Sequence, residues 1–264
     1  MKRISIALGV LILAFSVDAA LHTFKPLGGS FFIVADTIVL ILSLLAVISG
    51  LYAYRMHGFK SIQGKALLFI TLGVFFWFLG ELTWGIYEVV LGIETPVASI
   101  ADVFWIIGYP FFLAGFYHVW KISSTPTDKK KLTLSAIVTI LILSSLTYSA
   151  IPALIDVEMS FAEKASTAGY VIGDMLVLIA LTVSITHLLG SRFAKPWSII
   201  FLATLMATIA DIYYMNFLEI YETGNLIDLL WDLDYMLLAF GFFYYRETVK
   251  GLLTIHKHKK SIKK

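Results

Sequence analysis

Long apolar stretches, separated by short polar segments, run through almost the whole chain. Each stretch has about the 20 residues that an α-helix needs to cross the hydrocarbon core of a bilayer. The connecting segments are short and leave no room for a soluble domain. The pattern predicts eight transmembrane helices, at residues 4–22, 29–54, 65–92, 97–120, 132–154, 165–190, 196–220 and 225–249.

Composition supports this assignment. Hydrophobic residues make up 59% of the chain and charged residues 14%, whereas soluble domains contain about 25% charged residues. We therefore expect an all-α integral membrane protein, multi-pass in the cell membrane, with the lipid bilayer as a partner and with no nucleic-acid partner. The absence of cysteine excludes disulfides and thiolate metal sites.

Charge is divided between the two predicted faces of the membrane. If the amino terminus is cytoplasmic, only Lys25 and Lys164 among the basic residues fall on the outer side, whereas all acids except Asp128 and Glu247 lie in outer loops or outer helix halves. Because cytoplasmic loops are enriched in Lys and Arg, this division predicts that both termini are cytoplasmic.

The first apolar stretch has a second interpretation. Residues 1–19 combine a basic start, an apolar centre and the sequence Val17-Asp18-Ala19, which is also typical of a cleaved signal peptide. The even number of helices and the internal repeat described next favour retention of this helix.

Three pairs of segments indicate an internal repeat. The sequence DVFWIIGYPFFLAGFY at 102–117 is echoed by DLLWDLDYMLLAFGFF at 228–243. Two further pairs, 80–87 with 210–217 and 35–42 with 173–180, match Glu81 to Asp211 and Asp36 to Asp174. Because each half contains an even number of helices, the repeats are predicted to be parallel. The predicted organisation is two four-helix repeats at 1–122 and 131–250, a cytoplasmic linker at 123–130 and a basic cytoplasmic tail at 251–264.

Acidic residues inside these helices predict a binding site. A carboxylate near the bilayer centre costs about 2.5–3.5 kcal/mol, so it normally faces the protein interior or a wet cavity. Asp102, Trp105 and Tyr109 share one helix face, as do Asp228, Trp231, Asp232 and Tyr235. We expect the site in the outer half of the membrane. The candidate ligand- or cation-binding residues are Asp36, Glu81, Trp84, Asp102, Trp105, Tyr109, Asp174, Asp211, Tyr214, Asp228, Trp231 and Tyr235.

No lysine or arginine is placed deep enough to neutralise these acids, so three alternatives remain. The carboxyls can be protonated, can accept structural hydrogen bonds, or can hold an ion or a cationic small ligand against aromatic faces. For Asp102 and Asp228, close to the predicted surface, capping of a helix N-terminus is a further alternative. Tryptophan and tyrosine also collect at membrane interfaces without binding a ligand. Whether the site holds a metal stays open.

Several kinds of catalytic and cofactor site are excluded. No lysine lies within a helix interior to form a retinal Schiff base, no histidine pair suits haem, and the HExxH, GxSxG and nucleotide-binding motifs are absent. VIGDML at 171–176 and IPAL at 151–154 resemble motifs of intramembrane aspartyl proteases, but Val171 replaces the first glycine and the two motifs occur in the wrong order. We therefore predict no catalytic residue and no cofactor.

The stretch SIADVFWIIGYPFFLAGFY resembles a segment of the polytopic membrane sensor modules that precede diguanylate cyclase and histidine kinase domains. The resemblance rests on Ser99, Ala101, Asp102 and the tripeptide Gly108-Tyr109-Pro110. It implies a sensor-like module. The segment after Tyr245 is too short for an output domain, so a separate cytoplasmic or membrane output partner is expected.

Three classes of function follow. The first is a sensor- or receptor-like module whose outward-facing acidic and aromatic pocket binds a cation or small ligand. The alternatives are a cation- or proton-coupled small-molecule transporter and an intramembrane enzyme of unrecognised type. The basic tail either anchors the chain to anionic lipid or docks an acidic partner.

Overall fold

The computed structural model describes residues 2–93, 95–96, 98–122, 129–188, 190–217 and 220–262. Throughout these ranges every regular element is helical. A 3₁₀ turn at Gly28–Ser30 precedes the second helix, and a π-helical turn at Ile86–Val90 extends the third. The eight long helices are α1 (Lys2–Phe24), α2 (Phe31–Tyr54), α3 (Ile62–Gly85), α4 (Ile100–Ile122), α5 (Lys129–Ile155), α6 (Phe161–Leu188), α7 (Ala194–Asn216) and α8 (Asp228–Ile262).

The predicted all-helical class is confirmed, as expected for a multi-pass membrane protein. Among the residues that the structure describes, six segments are long and apolar enough to cross a membrane: α1, Gly28–Tyr54, Ile62–Val90, α4, α6 and α7. The first turns of α8 contain Asp228, Asp232 and Asp234, which makes this helix more polar than those six. It also continues to Ile262, through most of the segment predicted as a tail. Residues 123–128 of the predicted linker lie outside the described residues.

Six helices pack in a closed ring. Helix α3 lies between α2 and α4, α4 contacts α6, α6 contacts α7, α7 contacts α8, and α8 returns to α2. Helices α1 and α5 lie outside the ring, α1 against α8 and α5 against α6 and α7. The ring is filled by apolar side chains, among them Leu67, Phe116, Trp197, Ile200 and Phe242, all at most 2% exposed.

Close helix contacts depend on glycine at two matched positions of the predicted repeat. A Cβ at Gly115 of α4 would overlap Cγ1 of Ile70 on α3, and a Cβ at Gly241 of α8 would lie 2.7 Å from Cγ1 of Ile200 on α7. Because neither site has room for a methyl group, glycine is required for these helices to approach so closely.

The two ends of the bundle differ in charge. At one end, called the basic end, the guanidinium groups of Arg55 and Arg246 lie over the ring of Tyr52, at 5.6 and 5.4 Å from its centre. Nearby, the hydroxyl of Tyr245 lies 3.1 Å from Nε2 of His57, whose pKa is lowered by burial. The opposite end, where described residues of the loops before α4, α6 and α8 meet around one cavity, is called the acidic end.

Candidate functional site

A cavity of about 570 Å³ lies within the acidic end of the bundle, with walls from α2, α3, α4, α6, α7 and α8. Residues of the loops before α4, α6 and α8 complete its rim. The structure brings eleven of the twelve sequence-predicted site residues to its surface. These residues are Asp36, Glu81, Trp84, Asp102, Trp105, Tyr109, Asp211, Tyr214, Asp228, Trp231 and Tyr235.

Two matched tryptophans hold two matched acids. Trp105 Nε1 on α4 donates to Glu81 Oε1 on α3 at 3.2 Å, and Trp231 Nε1 on α8 donates to Asp211 Oδ1 on α7 at 2.9 Å. The hydroxyl of Tyr235 also donates to Glu81 Oε1, at 2.6 Å. Each indole therefore orients a carboxylate on the neighbouring helix while keeping its ring at the cavity wall.

Asp174 is the one predicted site residue that does not line the cavity. It is 1% exposed, and its Oδ1 accepts a hydrogen bond from the hydroxyl of Tyr109 at 2.9 Å. Its carboxyl interacts electrostatically with that of Asp211. The Tyr109 side chain thus stands at the cavity wall with Asp174 behind it, so Asp174 supports the wall and is not presented to a ligand.

Asp102 is bonded to its own loop and to a neighbouring helix. Its Oδ2 accepts from the backbone N–H and hydroxyl of Ser99, at 2.6 and 2.9 Å, which caps the start of α4. Its Oδ1 accepts from the hydroxyls of Ser166 and Tyr170 on α6, at 3.1 and 2.8 Å. All of these donors hold the carboxylate in place, so its first role is structural.

Asp228 is bonded in a matching way at the start of α8. Its Oδ2 accepts from the backbone N–H of Gly224 at 2.7 Å, and its Oδ1 accepts from the hydroxyl of Tyr221 at 2.9 Å. Gly224 has φ of +90°, a conformation that favours glycine. Burial, and then the neighbouring Asp228 carboxylate, raise the pKa of Tyr221 well above its usual range. Tyr221 therefore stays a neutral hydrogen-bond donor.

The aromatic rim ties the loop before α8 to α3. Thr223 donates its hydroxyl to Glu88 Oε1 at 2.9 Å and lies 3.4 Å from Trp84 Nε1. Tyr214 packs edge-on against Tyr221 and Trp231, with ring centres 4.9 and 6.0 Å apart. The predicted residues Trp84 and Tyr214 thus stand at the cavity mouth, held by a loop that the sequence pattern did not connect to them.

Three cavity-lining acids have buried oxygens that receive no hydrogen bond from any described residue. They are Asp36 at Oδ2, Asp232 at Oδ1 and Asp234 at both oxygens. The carboxyl of Asp234 interacts electrostatically with those of Glu81 and Asp211. Asp234 was not predicted because it lies off the helical stripe of Asp228, Trp231 and Tyr235. The sequence feature that could have identified it is its position as a third acid, after Asp228 and Asp232, in the same helix.

The electrostatics of the cavity are one-sided. Nine acidic side chains line it, and its described lining residues include no lysine, arginine or histidine. Tryptophan and tyrosine rings cover much of the remaining wall. Because buried carboxylates need a positive partner or a proton, and because aromatic faces attract cations, this arrangement is suited to a positively charged guest.

Comparison with known proteins gives no further assignment. No protein-family model matches the sequence, and no curated protein or solved structure shows significant similarity to it.

Proposed function

We propose that the chain is a multi-pass protein of the cell membrane whose cavity receives a small cationic ligand from the outer side, and that it acts as a sensor- or receptor-like module. The observation that supports this most directly is the lining: nine acids, ten aromatic rings and no described basic residue. A cavity of about 570 Å³ is large enough for an organic amine or a hydrated ion.

The proposed membrane arrangement has eight spans, including α5 and α8, with both termini cytoplasmic. The basic end then faces the cytoplasm, in accord with the enrichment of Lys and Arg in cytoplasmic loops. Helix α8 closes the ring between α2 and α7, so its acids face protein and not lipid. The matched pairs Trp105–Glu81 and Trp231–Asp211 support two parallel four-helix repeats.

Reception is favoured over transport by the packing beneath the cavity. From Trp77 on α3 toward the basic end, the ring is filled by side chains such as Ile70, Leu67, Ile200 and Leu238, all at most 1% exposed. A bound cation therefore meets no path onward. Its binding would instead alter the contacts among α2, α3, α7 and α8, which a separate output partner would detect.

Binding is tested with choline and 3,3-dimethyl-1-butanol, which has the same shape without the charge. Trp84, Trp105 and Trp231 line the cavity, so the fluorescence of the detergent-purified protein reports occupancy. Saturable quenching by choline, with at least tenfold weaker binding of the neutral analogue, is expected, since a tenfold change corresponds to about 1.4 kcal/mol. Asp234→Asn should weaken choline binding, whereas the exposed Glu158→Gln is the control. Equal binding of both probes would contradict a cation site.

Transport is tested separately in proteoliposomes. We expect no accumulation of radiolabelled choline under a proton or sodium gradient. Gradient-driven accumulation that is abolished by Asp36→Asn would replace the receptor proposal with the transporter alternative.

A further inference from the structure

Helix α1 buries only two of its residues, and both are polar. Of the 23 residues from Lys2 to Phe24, only Asp18 and His22 are buried, at 3% and 1% exposure. The two residues lie one helical turn apart on the same face of α1. This face is directed at the ring, where α1 contacts α8. An otherwise apolar helix thus presents a carboxylate and an imidazole to its protein neighbour.

Asp232 of α8 completes a cluster with these two residues. Asp18, His22 and Asp232 each offer one donor atom, an oxygen or a ring nitrogen, and these three atoms lie within 4.8 Å of one another. Donors about 2.1 Å from a tetrahedral ion are about 3.4 Å apart. The three side chains therefore lie close enough to converge on one metal ion by moving toward it.

The three side chains have few other partners. Oδ2 of Asp18, Oδ1 of Asp232 and Nε2 of His22 are buried and receive no hydrogen bond from a neutral or basic donor among the residues that the structure describes, while the carboxyls of Asp18 and Asp232 interact with each other. His22 Nδ1 lies 3.2 Å from the backbone oxygen of Asp18 and 3.2 Å from Asp18 Oδ1. A carbonyl can only accept, so Nδ1 carries the proton there and the lone pair is left on Nε2, the arrangement common in metal-bound histidine.

Charge and chemistry identify the class of ion. Two carboxylates and a neutral imidazole, buried away from any described lysine or arginine, are neutralised by one divalent cation. An imidazole ligand disfavours Mg²⁺ and Ca²⁺ and suits first-row transition metals. Asp232 also lines the cavity, so water can reach the ion as a further ligand. The Phe31 ring packs nearly perpendicular to the His22 ring, with ring centres 5.1 Å apart, and helps to fix the imidazole.

We propose that Asp18, His22 and Asp232 form a binding site for a divalent transition-metal ion such as Zn²⁺, which joins α1 to α8 beside the cavity. This site is separate from the proposed receptor function and does not depend on it.

The test is a Co²⁺ titration of the chelator-treated full chain in detergent, since Co²⁺ gives a visible d–d spectrum in Zn²⁺ sites. The expected result is one Co²⁺ per chain, displaced by Zn²⁺. Asp232→Asn and His22→Gln should each weaken binding at least about tenfold. His118→Gln is the matched control, because His118 Nδ1 also bonds a carbonyl of its own helix, that of Ala114, at 2.7 Å. His256→Gln/His258→Gln removes the histidines of the C-terminal segment as competing ligands.

Absence of a Co²⁺ spectrum in the wild-type chain, or unchanged binding in both His22→Gln and Asp232→Asn, would overturn the proposal. If His22→Gln does not fold, the wild-type spectrum together with Asp18→Asn decides. Choline titrations on the metal-free protein separate the two sites. Quenching by choline without a Co²⁺ spectrum supports the receptor proposal and rejects the metal site. A Co²⁺ spectrum without choline quenching supports the metal site and rejects the receptor proposal.

Discussion

The α2–α4 half and the α6–α8 half of the ring each contain an equivalent indole–carboxylate hydrogen bond. They differ in the hydrogen bonds that their tyrosines make. In both, an indole donates to an acid on the preceding helix, Trp105 to Glu81 and Trp231 to Asp211. The matched tyrosines then diverge: Tyr235 reaches Glu81, whereas Tyr109 bonds Asp174. Glu81 has one more methylene than Asp211, and this extra reach brings it to the tyrosine of the other half.

Because of this difference, Asp36 and Asp174, which the sequence alignment matches, have different surroundings. Asp174 has Tyr109 as a donor and is shielded from the cavity, while its counterpart Asp36 lines the cavity with Oδ2 unbonded by any described residue. Of these two acids at matched positions of the proposed repeat, one thus supports the cavity wall and the other lines the cavity. The comparison teaches that positions matched by sequence need not share a role.

The largest expected effect concerns the two glycine contacts. In Gly115→Ala the new methyl meets Ile70 and also lies 3.0 Å from the Ile70 backbone nitrogen, which cannot move aside; in Gly241→Ala the nearest backbone atom is 3.4 Å away. We expect Gly115→Ala to lower the free energy of unfolding by about 3 kcal/mol and Gly241→Ala by about 1 kcal/mol. Thermal unfolding in detergent measures both. Gly9→Ala, with nothing within 4 Å of the added Cβ, is the control, and a larger loss for Gly241→Ala would contradict the asymmetry.

The next largest effect on stability is expected when Tyr109 and Tyr235 are each replaced by phenylalanine. Tyr109→Phe removes the hydroxyl bonded to Asp174, whereas Tyr235→Phe leaves Glu81 its bond from Trp105. Leaving a buried polar group unsatisfied costs about 1–3 kcal/mol, and loss of one of two bonds costs about 1 kcal/mol. We therefore expect a larger drop in Tm for Tyr109→Phe. Equal drops would show that Asp174 finds another partner.

The smallest effect on stability, and the largest on binding, is expected at Asp36. Asp36→Asn removes a carboxylate whose Oδ2 has no described donor, so the Tm should change little while choline quenching weakens about tenfold or more. Asp174→Asn should show the reverse: a lowered Tm and near-normal quenching. Both measurements use the same detergent sample, and loss of choline binding in Asp174→Asn alone would invert the assigned roles.

Much of this arrangement follows from local sequence. Apolar runs predict the helices, and the spacing of Asp102, Trp105 and Tyr109 predicts one face, because both depend on contacts within a helix. The two α6 donors to Asp102 were not predictable, since Ser166 and Tyr170 lie far along the chain from it. Asp234 was missed because it lies beside Tyr235 but off the stripe, and it reaches the cavity only through the packing of α8 among its neighbours.

The same limit applies to Asp18 and His22. Sequence pattern places them near the outer end of a lipid-facing helix, and only the packing of α1 against α8 makes them neighbours of Asp232. Conversely, the sequence predicts that Asp36 and Asp174 occupy equivalent positions, but it does not predict their unequal exposure to the cavity. That inequality depends on where Tyr109 and Tyr235 point, which no repeat alignment determines.

The position of α1 has a consequence for biogenesis. It leaves the ribosome before every other described helix, yet its buried residues meet α8, which is synthesised after all of them. Until then Asp18 and His22 stay in lipid or in the insertion machinery without their final neighbour, at the energetic cost that polar groups bear there. Docking of α1 against α8 is therefore among the last steps of assembly. In a chain held on a ribosome stalled before α8, α1 has not yet made this contact.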